Sequence, residues 1–327
     1  MNIKLDIPEK FFEGEERCGY YVSPLMKKVW AVQLDLLAEF ARVCEKHNLR
    51  WWMDAGTLLG AVRHKGFIPW DDDVDVMMMR KDYETFCEIS QRELQYPYKL
   101  IDNEPKTIRL SRLCNESTTA LNTWDLERLK RGLPMKHNTG DIVLDVFPVD
   151  KIPDNEYAIK KLAHRLQFYH KFAQNLYMLD EYRPSRKLWK RPIKALFYSL
   201  MKYVRPNCRN FIVKRLIMKC VDIDKSCNQH DSAHVAKLCM SHDSKFMTRR
   251  VWPLSDFDGV TYFPFEMLTL PAPSGWEDIL NRFYGDWRKF VIREHNGKPE
   301  AEAFFFDTER PYTYYTQEGH IPNEDKI

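Results

Sequence analysis

Asp54-Ala-Gly-Thr-Leu-Leu-Gly-Ala-Val-Arg-His-Lys-Gly-Phe-Ile-Pro-Trp-Asp-Asp-Asp-Val-Asp-Val76 brings a Gly-Thr pair, a basic cluster and four carboxylates into one short segment. Alternate residues of a strand share a face. Asp71, Asp73 and Asp75 are therefore expected on one side, and Asp72, Val74 and Val76 on the other. Carboxylates crowded on one face repel unless a cation lies between them. Mg²⁺ takes one or two carboxylates and completes its shell with water and phosphate oxygens. The segment thus reads as a metal–phosphate site. Asp-rich runs are commonly solvated turns, but here Met77-Met78-Met79 continue an apolar run directly beyond Asp75. That places the acids at the start of a buried strand.

The upstream half fits the same chemistry. Trp51 to Ala55 reads as a short strand and Leu58 to His64 as a short helix, which leaves Gly56 and Thr57 at the turn. A helix N-terminus offers free N–H groups and partial positive charge to phosphate, and glycine lets the backbone approach closely. Thr57 is a candidate helix cap and phosphate donor. Arg63, His64 and Lys65 follow as candidates to hold charge on a phosphoryl group, Arg63 first because guanidinium binds phosphate in a bidentate way.

Gly56 to Val76 resembles the signature of the LicD family, which groups bacterial phosphocholine transferases with fukutin-type phosphoribitol transferases. The resemblance extends to Arg80-Lys-Asp-Tyr83, to a second acidic strand at Asp141-Ile-Val-Leu-Asp-Val-Phe-Pro-Val-Asp150, and to Phe265-Glu266 and Tyr284-Gly-Asp286. It implies an α+β protein: a nucleotidyltransferase-like core with a small mixed sheet flanked by helices, plus a helical C-terminal part. It also implies three acidic site positions and a basic residue facing nucleotide phosphates, for which Arg112 is preferred over Arg109. The third acid has its own argument. Asp145 is the one carboxylate inside the apolar run Ile142–Phe147, and a buried carboxylate is costly unless paired or metal-bound. It is expected to join Asp73 and Asp75 as metal ligand or proton acceptor. Asp141 and Asp150 are expected to cap or turn, and Pro148 to end the strand.

The chain has 327 residues and a net charge of +3, ample for a sizeable core. Three regions are expected: 1–155 the catalytic core, 156–250 a basic helical region, and 251–327 a segment completing the catalytic unit. From Tyr182 to Val221 there is no Asp or Glu, while Lys and Arg recur among aromatic and aliphatic residues. This reads as two basic amphipathic helices broken near Pro206. They either cover the core with their basic stems exposed or contact an anionic membrane. No apolar run reaches the ~20 residues of a membrane span, and Met1 to Glu16 lacks a hydrophobic leader. A cytoplasmic protein is the expectation, with peripheral contact at the inner membrane face as the alternative to a solvated helical pair. Eight cysteines without a spacing framework are then free thiols. Cys220, Cys227, His230, His234, Cys239 and His242 form a candidate zinc set, with His230 and His234 on one helix face. Trp51, Trp52 and Trp70 are a candidate cage for a quaternary ammonium.

Helical periodicity is expected from Ser23-Pro24 to Asn48, over Lys81–Leu94 and Tyr157–Leu179, and over Trp276–Phe290 with a break at Gly285. Two strands are expected within Tyr98–Leu121, and partial disorder after Lys298. The function that follows is transfer of a phosphocholine-like headgroup from a CDP-activated donor to a hydroxyl of a glycan or lipid-linked glycan, with Mg²⁺ or Mn²⁺. Gly56, Thr57, Arg63, His64, Lys65 and Arg112 would hold the donor. Two rival readings are a DxD glycosyltransferase, which leaves the Gly-Thr turn and Asp145 unexplained, and a basic membrane- or RNA-associated binding protein. Nucleic acid is not the expected partner.

Overall fold

Ser23 starts the first long helix by accepting a hydrogen bond from the Met26 N–H, with Pro24 in the first turn. In this computed structural model, residues 1–102, 109–135, 139–179, 191–229, 231–242, 249–292, 294–295, 298–299, 304–316 and 320 are described. The N-terminal part contains hairpin β1 (Glu15–Arg17) and β2 (Tyr20–Val22), helix α1 (Pro24–Lys46), β3 (Trp52–Met53), α2 (Ala55–His64), β4 (Asp75–Met79) and α3 (Arg80–Glu93). Then come β5 (Tyr98–Asp102), β6 (Ser111–Asn122), α4 (Thr123–Lys130) and β7 (Gly140–Ile152). Helices α5 (Glu156–Tyr177), α6 (Arg191–Lys202) and α7 (Pro206–Cys227) follow. The C-terminal part holds β8 (His234–Ala236), β9 (Val251–Pro253), hairpin β10 (Val260–Phe265) and β11 (Leu268–Pro273), a helix at Trp276–Tyr284, and β14 (Phe304–Asp307) after the short pair β12 (Glu294–His295) and β13 (Lys298–Pro299).

The architecture is α+β, a mixed sheet with helices against it. Strands run in the order β14-β6-β7-β4-β3, with β5 also on β6 and β8–β9 extending from β7. Strand β4 is almost wholly apolar after Asp75, as suits a central strand covered on both faces. It runs parallel to β7 with Asp75 opposite Asp145, and β6 runs antiparallel to β7 with Arg112 opposite Asp145. Asp75, Asp145 and Arg112 therefore form one row across three adjacent strands. The main core packs Trp30, Phe40, Trp52, Phe67 and Phe86 between α1, α2, α3 and the sheet. Helices α5 and α7 enclose a separate cluster of Ala173, Leu176, Val213 and Ile217.

Several expectations are corrected. Helix α2 begins at Ala55, with Asp54 at its N-cap position, so Thr57 lies inside the helix and is not the cap. Asp71, Asp72 and Asp73 precede β4; only Asp75 is in the strand. Strand β7 continues through Pro148 to Ile152. The Asp145 N–H points to Val74 on the β4 side, so the next residues of even number face the other way. On that side Val146 is opposite Ser111 of β6 and Asp150 is opposite Ala236 of β8. Pro148 falls between these two partners, where no donor is needed. Asp150 does not cap: it is fully buried and accepts from Arg80 Nε and Nη2 at 2.7 and 2.8 Å. His234 opens a strand, not a helix. The last predicted helix stops at Tyr284, because Gly285 takes a positive φ of 72°.

Candidate active site

The acidic loop is held from two sides. From α1, Trp30 Nε1 donates to the Asp71 carbonyl at 3.2 Å and Gln33 Nε2 to the Asp72 carbonyl at 2.6 Å. From the Gly-Thr side, Thr57 Oγ1 accepts the Asp75 N–H at 2.8 Å, and the Asp54 N–H donates to the Asp75 carbonyl at 3.0 Å. A Cβ at Gly56 would lie 2.5 Å from an Asp71 carboxylate oxygen, so glycine is required for the acid to approach. The landmark Glu266, at the β10–β11 turn, accepts from Arg17 at 2.5 and 3.0 Å and from the Phe67 N–H at 3.2 Å. It ties that hairpin to the chain leaving α2.

These elements border a cleft of about 360 Å³. Asp71, Asp73 and Asp75 line it together, although Asp71 and Asp73 lie ahead of the strand, and so do Gly56 and Arg63. Lys237, Arg249 and Arg250 add positive charge, while Trp70, Phe147, Phe283, Tyr284 and Trp287 supply an aromatic lining. Lys237 is only 2% exposed. Its ammonium pairs with Asp54 and lies 4.4 Å from the Phe147 ring centroid. Burial, then the neighbouring carboxylates of Asp73, Asp145 and Asp54, push the Asp75 pKa well above the usual carboxylate range. Carboxylate oxygens of Asp71, Asp72 and Asp73 all lie within 4.8 Å of one another. An all-oxygen donor set with repulsion among its members fits a hard divalent cation.

A smaller hollow of about 120 Å³ lies on the other side of Asp73 and is lined by Asp72, Asp73, Arg112, Asp141 and Asp145. Arg112 Nε donates to Asp145 Oδ1 at 2.7 Å. Arg112 Nη1 is buried without a hydrogen-bond partner among the described residues, a donor left for a ligand. Asp145 is half-buried, with its side chain 19% exposed, and not enclosed as its apolar flanks suggest. Asp141 is the buried one: burial, then Glu116, raise its pKa to about 7. Arg109 belongs elsewhere, paired with Asp224 and donating to the Leu238 carbonyl and Ser241 Oγ.

Of the other sequence candidates, Thr57, His64 and Lys65 line neither hollow. His64 Nε2 accepts from Arg63 Nε at 2.8 Å. Burial, then Arg63 and Arg17, lower the His64 pKa to about 4, so it is a neutral acceptor at pH 7. Arg63 Nη1 donates to the Trp287 and Lys289 carbonyls, both at 3.0 Å, and so fixes the cleft rim. Lys65 is exposed and closes α2 in the left-handed region. The three-tryptophan cage does not form: Trp51 and Trp52 pack edge-on to Phe40 and Phe257 in the core, and Trp70 alone reaches the cleft. The zinc set does not assemble among the described residues, and His230 lies outside them. His234 instead bonds Asp154 at 2.8 Å, and His242 stacks on His170. Lys237 was not singled out from the sequence. Its signal was a lone charge in the apolar run Val235-Ala-Lys-Leu-Cys239, the same signal that marked Asp145.

A carboxylate row on a mixed sheet, a helix turn stitched to it and a cationic cleft wall define an α+β enzyme built to handle phosphate esters. The family model "LicD/FKTN/FKRP, nucleotidyltransferase domain" matches residues 48–180. Over these residues the chain carries a LicD-type nucleotidyltransferase domain, and its likeness to a LicD cholinephosphotransferase supports a phosphotransferase of that type. It is 26% identical over 268 residues to the lipopolysaccharide cholinephosphotransferase LicD of Haemophilus influenzae, covering 80% of this chain and 91% of that one. An uncharacterized protein of Rickettsia typhi is 33% identical over 127 residues, 38% of this chain and 37% of that one. The human ribitol 5-phosphate transferase FKRP is 45% identical over 53 residues, 15% of this chain and 11% of that one. Among the described residues no helix is long and apolar enough to cross a membrane.

Proposed function

We propose that this chain transfers a phosphocholine-like group from a CDP-activated alcohol to a sugar hydroxyl of a cell-surface glycan or its lipid-linked precursor. The reading is carried by one observation: Asp71, Asp73 and Asp75 share a cleft with Lys237, Arg249 and Arg250, and the next strand sets Asp145 beside Asp75. The likeness to a cholinephosphotransferase along most of both chains favours choline as the headgroup. Asp73, Asp75 and Asp145 would hold Mg²⁺ or Mn²⁺. When bound, the cation offsets charge on the diphosphate and on departing CMP.

The protein's own part is positioning and charge neutralisation. The cationic lining and the α2 turn receive the diphosphate, and the aromatic lining receives the headgroup. The acceptor oxygen forms a bond to the headgroup phosphorus, the bond from that phosphorus to the CMP oxygen breaks, and the hydroxyl proton passes to a carboxylate, for which Asp145 is placed. In this reading 1–155 and 251–327 form the catalytic unit. The region 156–250 is a basic helical part that also lends the cleft Lys237, Arg249 and Arg250. The enzyme would work in the cytoplasm, at the inner membrane face.

The test is CMP release from CDP-choline, CDP-ethanolamine, CDP-glycerol and CDP-ribitol, with Mg²⁺ or Mn²⁺ and a host glycan extract. Metal-dependent release from one donor, lost in Asp73→Asn and Asp75→Asn, is the expected result. Turnover of UDP-sugars in place of every CDP donor would overturn it in favour of a glycosyltransferase.

A further inference from the structure

Between Arg191 and Val221 the sequence holds eight Lys or Arg and no Asp or Glu. The whole chain carries only +3, so the remainder is net acidic and the charge is concentrated in α6 and α7. The two helices present apolar side chains outward as well as inward. Phe197 and Met201 of α6, with Ile212, Val213, Leu216 and Ile217 of α7, pack against α5 residues in the small helical cluster. Leu196, Leu200 and Tyr203, spaced at helical intervals, are instead 62%, 55% and 91% exposed. On α7, Phe211 and Met218 are 63% and 47% exposed and border a shallow groove with Arg215, Lys219 and, at its end, Asp222. Lys202, Arg205, Lys214 and Arg215 are exposed among them. Isolated exposed apolar residues need no explanation, but a cationic surface carrying five large ones does.

We propose that α6 and α7 dock the enzyme on an anionic lipid surface, with Leu196, Leu200, Tyr203, Phe211 and Met218 entering the headgroup–acyl boundary and the surrounding Lys and Arg meeting lipid phosphates. Amphipathic helices with this composition lie in the interface plane, held jointly by apolar burial and attraction to anionic lipid. A second copy of the chain is a poor occupant, because two such faces repel. Nucleic acid would be met by charge and aromatic stacking, and leaves exposed Leu196, Leu200 and Met218 without a role. The inference goes beyond the catalytic reading and is tested without donor or acceptor, so either can fail alone.

The experiment is co-sedimentation of the full chain with vesicles of phosphatidylcholine mixed with phosphatidylglycerol, and with phosphatidylcholine alone. Binding only to the mixed vesicles, weakened by salt, is expected. Leu200→Ser with Tyr203→Ser and Phe211→Ser should lower the partition coefficient by roughly tenfold, as lost apolar burial predicts. Lys202→Glu with Arg205→Glu and Arg215→Glu should lower it by more than about tenfold, while Lys46→Glu, remote on α1, leaves it unchanged. All these side chains are exposed, and an unchanged circular dichroism melt verifies that the variants fold. Equal binding to both vesicle types, no binding to either, or binding to single-stranded RNA with none to vesicles would each overturn the proposal.

Discussion

Strand β7 carries two Asp–Arg pairs, one at mid-strand and one near its C-terminal end, and they behave differently. At the first, Asp145 pairs with Arg112 beside a hollow, with side chains 19% and 15% exposed. At the other, Asp150 pairs with Arg80 with side chains 0% and 8% exposed, and Asn228 adds a third hydrogen bond at 2.7 Å. In the buried pair both carboxylate oxygens are engaged, by Arg80 Nε and Nη2, in a region that also holds Arg109–Asp224. The pair at the hollow keeps an unused guanidinium donor and sits beside a second carboxylate, Asp75, with no basic partner of its own in the row. The same chemistry is a fastener where its hydrogen bonds are complete and a binding site where they are not.

Replacing carboxylates at the open site should give the largest effect. Asp73→Asn and Asp75→Asn are expected to cut turnover by roughly 10²–10³-fold or more, in line with losing a group that neutralises transition-state charge. Folding should be unharmed. Asp75→Asn should raise the melting temperature of metal-free protein, because it removes repulsion from Asp73, Asp145 and Asp54. A lower melting temperature in Asp75→Asn would place Asp75 with the fasteners. At the closed pair the signs reverse. Asp150→Ala leaves the Arg80 charge buried and unpaired, and should cost about 3–5 kcal/mol in denaturant unfolding. Turnover per folded molecule should change little. If Asp150→Ala lowered turnover of fully folded protein as severely as Asp75→Asn, the distinction between the two would be broken.

The sequence made the open site legible because its acids are contiguous with the strand that bears them. Asp73 and Asp75 lie in one run, and Asp145 stands out against Ile142–Phe147. Their neighbours across the sheet depend on strand order, and Arg112 is named only through the family resemblance. The closed pair was misread because Pro148 resembles a terminator. Its missing N–H is harmless only where β7 changes partner from β6 to β8, a tertiary fact. The cleft's cations were missed for the same reason: Lys237, Arg249 and Arg250 reach Asp75 from far along the chain. Thr57 was assigned to capping because Ser and Thr at a helix start usually cap. Here Asp54 takes that position, and the hydroxyl holds the Asp75 N–H. Trp51, Trp52 and Trp70 are near in sequence, but Trp51 and Trp52 pack in the core and only Trp70 lines the cleft.

Asp141 shares β7 with both pairs and belongs to neither, so it sharpens the comparison through pH. Its folded pKa, about 7, is above the ordinary 3.8, with burial as the main cause. Below pH ~4 both folded and unfolded forms hold the proton, and no cost arises. Between pH ~4 and ~7 the unfolded chain releases it first, so stability falls with rising pH, by on the order of 4 kcal/mol in total. Asp141→Asn should therefore stabilise the protein increasingly from pH ~4 to ~7 and by a constant amount above that. Urea unfolding of both proteins across that window measures the difference. A constant difference across that window would mean that folding does not raise the Asp141 pKa.

The smallest effect expected is at Arg112. Its pair with Asp145 is partly solvated, so a double-mutant cycle of Arg112→Ala and Asp145→Ala should give a coupling of only about 1 kcal/mol, against several for Arg80 and Asp150. In activity the order should invert. Arg112→Lys preserves charge but loses the planar fork and the idle Nη1 donor, so the KM for the nucleotide donor should rise by roughly tenfold while stability is nearly unchanged. A bidentate or shared contact with phosphate needs that second donor; a simple counter-charge for Asp145 does not. If Arg112→Lys matched the wild type in KM, Arg112 would be a fastener after all, differing from Arg80 only in how much water reaches it.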